Sequence, residues 1–129
     1  GGVMAQTRQA LAREEKVRQV LESTRRKTLA EANRLYLTIY QGVEQVQALN
    51  QAVQSGEQAV LGEKKGIQAG TRTIVDALDA ERRLFESMRD HALAIYLLAN
   101  NRLKFLALAG AVDVDAIEVV SSWLSSAKR

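Results

Sequence analysis

The stretch Gly66-Ile67-Gln68-Ala69-Gly70-Thr71-Arg72-Thr73-Ile74-Val75-Asp76-Ala77-Leu78-Asp79-Ala80 decides how this chain folds. Two glycines four apart punctuate an otherwise helix-forming sequence. Glycine past the last turn is the common helix C-cap, because it reaches positive φ without steric cost. Thr71 and Thr73 follow, and either suits an N-cap. Asp76 then falls in the first turn of a new helix, where a negative charge suits the exposed N–H groups. The segment therefore predicts a stop, a tight turn and a restart between two helices.

Upstream, residues 3–67 read as one long helix rich in Ala, Gln, Leu, Glu and Arg. Ile39, Val46, Val53, Val60 and Ile67 are each seven apart. Leu35, Gly42, Leu49 and Gly56 form a second series of the same period. Together they give the alternating three- and four-residue spacing of a coiled-coil seam. Glycine costs about 1 kcal/mol in a helix relative to alanine, so Gly42 and Gly56 on that seam point to close approach of a second backbone. Downstream, residues 74–109 predict a returning helix. Its own seven-residue series is Leu78, Phe85, Ala92, Ala99 and Leu106, with Met88 and Ile95 beside it. Gly110 is expected to end this helix, and Asp113 or Asp115 to cap a short one over residues 113–125, anchored by Trp123. The expected fold is all-α: a long antiparallel, coiled-coil-like hairpin with a short C-terminal helix and a tip turn at residues 66–73.

Composition narrows the chemistry. With 129 residues the chain is one domain or a piece of one. No cysteine is present, which excludes disulfides, cysteine-based zinc sites and a thiol nucleophile. His91 is the one histidine, and no partner ligand is near it in sequence, so a surface or seam role is expected. There is no nucleophile–base pair and no phosphate-binding glycine loop, so no enzyme and no cofactor is expected. The formal charge of +3 is small. The basic residues before Arg34, including Arg25-Arg26-Lys27, are mixed with acids and lack interleaved aromatics. That pattern is a solvated helix face rather than a nucleic-acid footprint. Tyr36 and Tyr40 share a face and are expected to pack between helices. Uninterrupted apolar runs fall well short of the roughly 18 residues of a membrane helix, and no signal peptide is recognisable. The chain reads as soluble, and Gly1-Gly2 reads as a mid-chain junction.

The quoted stretch resembles the periplasmic-tip segment of the TolC family of outer-membrane channels for type I secretion and multidrug efflux. The shared pattern is Gly, a variable triplet, Gly-Thr-Arg-Thr, an apolar pair, Asp, an apolar pair, and Asp-Ala. Leu97 to Gly110, with Asn100-Asn101-Arg102-Leu103-Lys104, resembles the family's ascending helix. Val112 to Leu124 resembles its equatorial helix, and Gly1-Gly2 the junction below the last barrel strand. The resemblance covers nearly the whole chain and implies the C-terminal helical hairpin of the second repeat.

That resemblance implies a homotrimer in the full-length parent, with one barrel in the bacterial outer membrane and this segment in the periplasmic tunnel. It implies a periplasmic adaptor and an inner-membrane pump as partners. Arg72 and Thr71 match the closing network, with Gly66, Gly70 and Thr73 forming the turn. Asp76 and Asp79 match two rings of acids that favour cations and can bind a blocking divalent ion in the trimer. Ile67 stands where the best-known members carry a gate tyrosine, so one link is missing or replaced. From spacing alone, Asp76 and Asp79 read as helix-start acids on a solvated face; it is the motif around them that turns the reading to pore rings. Two other functions fit parts of the pattern: a periplasmic adaptor hairpin, and a self-assembling coiled-coil scaffold without transport. The isolated fragment is expected to self-associate through its exposed seam, and nucleic acid is not an expected partner.

Overall fold

A computed structural model describes residues 1–127, with the side chains of Asp115, Ala116, Ile117, Val119, Val120, Trp123 and Ala127 outside the description. Helix α1 spans Gly2–Gln68 and α2 spans Ile74–Ala127, and no strand occurs among the described residues. The chain divides into two compact units. One contains residues 1–35 together with those from Ala107 onward, and the other contains Tyr36–Leu106.

Within the second unit, α1 and α2 form an antiparallel hairpin. Gly56 faces Leu84, and Gly42 faces Leu98. Both pairs are symmetric about Gly70, two and four heptads from the turn, so the register holds along the unit. A Cβ on either glycine would stand 3.2 Å from the facing leucine Cδ1. The bare glycines are therefore holes that receive leucine knobs, as the α1 pattern predicts. The α1 seam is as expected: Ile39, Gly42, Val46, Leu49, Val53, Gly56, Val60 and Ile67 are half-buried or buried.

On α2 the seam differs from the expected series by one residue. Ala77, Leu84, His91, Leu98 and Phe105 face α1, alternating with Ala80, Ser87, Ala94 and Asn101. Ala77, Ala80 and Ala94 are among the few buried side chains. The series predicted to pack, Leu78 to Leu106, is rotated away by about 100°. Phe85 is 66% exposed and Leu78 58%. The reason is steric. A backbone held close by Gly42 and Gly56 leaves room for alanine and for leucine tips, but not for a continuous row of large side chains. His91 accordingly sits half-buried on the seam, in the register position opposite Leu49.

Tyr36 meets the Phe105 ring at a centroid distance of 6.5 Å, while remaining 61% exposed. Tyr40 is also exposed, so the expected packing between helices holds in part for Tyr36 and fails for Tyr40.

In the first unit, α1 carries ion pairs at helical spacing. Arg18 pairs with Glu15 and Glu22, and Arg34 with Glu31. Glu15 has its carboxyl lowered from the ordinary value by hydrogen bonding to Arg18. Such exposed pairs contribute little stability each. Arg25, Arg26 and Lys27 are exposed, as the mixed-charge pattern predicts.

The C-terminal part corrects another expectation. α2 runs without interruption through Gly110 to Ala127, so there is no separate helix over residues 113–125. Gly110 has negative φ and open space around it. Its helix penalty of about 1 kcal/mol does not by itself end a helix that continues on both sides of it. The anchoring role expected for Trp123 lies outside the described residues. By length and composition alone, Ile74–Val114 holds an 18-residue window apolar enough to cross a membrane, and none of that window is buried. An average over such a window thus reaches what the uninterrupted runs do not. Asn100, Asn101, Arg102 and Lys104 lie within that range, and its apolar groups spread over exposed flanks.

Candidate functional site at the hairpin tip

The turn is built on one carbonyl. Gly66 O accepts the Thr71 N–H at 2.8 Å, the Arg72 N–H at 3.1 Å and the Thr71 hydroxyl at 3.2 Å. The Gly70 N–H donates to Ile67 O at 3.1 Å, and Gly70 has φ +77°. The Thr71-to-Gly66 and Gly70-to-Ile67 bonds make the Schellman arrangement, which satisfies the last carbonyls of α1. Gly66 is required for a different reason. A Cβ there would lie 2.3 Å from Arg72 Cγ and 2.9 Å from Arg72 Cβ. The stem of Arg72 lies across the bare α-carbon.

Thr73, not Thr71, is the N-cap of α2. Its N–H donates to Asp76 Oδ2 at 2.9 Å, and its hydroxyl accepts the Asp76 N–H at 3.3 Å. This reciprocal pair is a capping box with aspartate in the third helical position. The backbone hydrogen bond from Thr73 holds the Asp76 carboxyl below the usual range, with its side-chain bond to Thr73 and nearby Arg72 acting the same way. Asp76 is thereby fixed in direction and kept ionised.

Asp79, one turn further, is half-buried and lies 3.8 Å from Arg82, an exposed ion pair. Arg72 Nε lies 3.6 Å from Glu63 Oε2 on α1. Ile67 is half-buried on the seam and contributes no side-chain hydrogen bond to the turn. Sequence reasoning missed Glu63. Its signal was available, since Glu63 is the next member of the series Leu35, Gly42, Leu49, Gly56, and an acid on a seam is unusual. Among the described residues, no group of three or more His, Asp or Glu side chains could hold a metal ion.

Around the seam of α2 the two flanks differ in chemistry. Asp76, Asp79, Arg83, Glu86 and Asp90 fall on one side, at the heptad positions adjoining Ala77 and Ala80. Ile74, Leu78, Phe85, Met88 and Ile95 fall on the other, all exposed. Near the tip, α2 thus carries a mainly acidic flank and a mainly apolar flank on opposite sides of the packing seam, the apolar one interrupted by Glu81, which pairs with Lys64 of α1 at 3.6 Å.

Residues 1–111 match the model of the family described as outer membrane efflux protein. The chain belongs to that family. It is 33% identical over 124 residues to the alkaline protease secretion protein AprF of Pseudomonas aeruginosa, covering 95% of this chain and 25% of the relative. It is 25% identical over 127 residues to the proteases secretion protein PrtF of Dickeya chrysanthemi, covering 98% of this chain and 28% of that one. It is 28% identical over 125 residues to the outer membrane protein TolC of Escherichia coli K12, covering 97% of this chain and 25% of that one. This outer membrane efflux family chain therefore spans about a quarter of the length of the relatives it matches. No solved structure matches it significantly.

Proposed function

We propose that this chain forms part of the helical tunnel wall and the closing tip of a trimeric outer-membrane channel, with the segment itself in the periplasm. Its role is transport, not enzymatic catalysis. The observation that carries the reading is the division of α2 near the tip into an acidic flank and an apolar flank. A tunnel wall needs both: an apolar side to meet the next hairpin, and a polar side to face the aqueous lumen. Repeated by threefold symmetry, Asp76 and Asp79 become rings of carboxylates, which favour cations and offer a site for a blocking divalent ion. The capping box holds the Asp76 carboxyl below its ordinary range beside the turn, so each ring would carry charged groups.

Arg72 and Thr71 sit at the outermost turn, with Arg72 57% exposed, available to an acceptor on a neighbouring subunit. A guanidinium–carboxylate bond between subunits would hold the tip closed. A periplasmic adaptor and an inner-membrane pump complete the export assembly. The names of AprF and PrtF favour protein secretion over drug efflux as the cargo class.

Planar-bilayer recording of the full-length protein tests the reading. Asp76→Ala with Asp79→Ala should weaken cation preference and divalent block. Arg72→Ser should raise conductance. Ion preference unchanged in the double aspartate variant would return both acids to the solvated face of a helix start.

A further inference from the structure

Glu63 occupies a seam position where the rest of its series is leucine or glycine, and its side chain is 24% exposed. Oε2 is buried and has no hydrogen-bond partner. A carboxylate oxygen shielded from water is costly unless a cation compensates it. The cation it meets is Arg72, whose Nε lies 3.6 Å away, beyond hydrogen-bond length but within ion-pair range. The route between them is cleared by Gly66, over whose bare α-carbon the arginine stem passes. The closest approach of the guanidinium to the carboxylate is through Nε.

We propose that Glu63 is the positioning partner of Arg72: a seam carboxylate that fixes the guanidinium over Gly66, so that its terminal nitrogens are presented to an acceptor on a neighbouring subunit. This rests on the gate reading of Arg72. Glu63 supplies from α1 an anchoring group that Ile67, with no polar atom, does not. Arginine offers five N–H donors in a rigid fork. Pinning one edge of the fork within the hairpin reduces the freedom lost when the other edge binds.

The test is planar-bilayer conductance of the full-length protein carrying Arg72→Ser, Glu63→Gln, Glu63→Leu, or Arg72→Ser with Glu63→Gln. Glutamine keeps the shape and an acceptor but removes the charge, and leucine fills the seam without any polar atom. Both Glu63 variants should raise conductance in the same direction as Arg72→Ser. The double variant should conduct no more than Arg72→Ser alone, because Glu63 acts through Arg72. If Glu63 only fills the seam, Glu63→Leu keeps the wild-type conductance and the proposal falls. If Arg72→Ser opens the channel while both Glu63 variants conduct as wild type, the positioning role is refuted and the gate reading stands. Effects that add in the double variant also refute it. If Arg72→Ser changes nothing, the gate reading is overturned and this inference with it.

Discussion

Three glycines within nine residues of the tip should respond to alanine in two different directions, for reasons set by their surroundings. Gly62 is helical, with nothing within 4 Å of the position an added Cβ would take. Gly62→Ala should therefore gain the helix propensity difference of about 0.8–1 kcal/mol. Gly66 is also helical and gains the same term. Its new Cβ, however, would lie 2.3 Å from Arg72 Cγ and 2.9 Å from Arg72 Cβ. A rotamer change moves Cγ, but Cβ moves only with the backbone of the turn. Overpacking of this kind costs about 1–3 kcal/mol, so the net change is a loss of about 0–2 kcal/mol. Gly70 has open space but φ +77°, where an L side chain costs about 1–2 kcal/mol.

Urea denaturation followed by far-UV circular dichroism gives the order. Gly62→Ala should unfold at higher urea than the parent chain, and Gly66→Ala and Gly70→Ala at lower urea. Each kcal/mol corresponds to about 0.3–1 M in the midpoint. A Gly66→Ala variant as stabilised as Gly62→Ala would refute the packing of Arg72 across Gly66. A Gly70→Ala variant as stable as the parent would refute the left-handed turn.

Thr73→Ala removes the hydroxyl that accepts the Asp76 N–H and should cost about 1 kcal/mol in the same unfolding experiment. The folded Asp76 carboxyl titrates below its unfolded value, so its contribution is present above the unfolded pKa and lost as pH falls through the folded one. Thermal midpoints between about pH 5 and pH 2 should therefore fall more steeply for the parent than for Asp76→Asn; parallel curves would contradict the capping box. The exposed Leu78 and Phe85 should drive self-association of the chain. Sedimentation at tens of micromolar should show assemblies that Leu78→Gln with Phe85→Gln disperses, and a monomeric parent would refute this.

The sequence by itself determined the two-helix plan, the α1 seam and the turn. These rest on local chemistry: heptad spacing, glycine at positive φ, and a threonine–aspartate cap each act within a few residues. The Gly-Thr-Arg-Thr pattern also pointed to the right family. Tertiary structure decided which face of α2 packs. Leu78, Phe85 and Leu106 form the more apolar row, yet Ala77, Ala80 and Ala94 are buried, because the distance between the helices is set by Gly42 and Gly56 on α1. At Gly110 the correction is local rather than tertiary: a weak stop gives way to the cooperativity of the flanking helix. The pairing of Glu63 with Arg72 was decided by the tertiary structure. They stand nine positions apart in sequence, and only the reversal of the chain after Gly66 brings their charges to 3.6 Å.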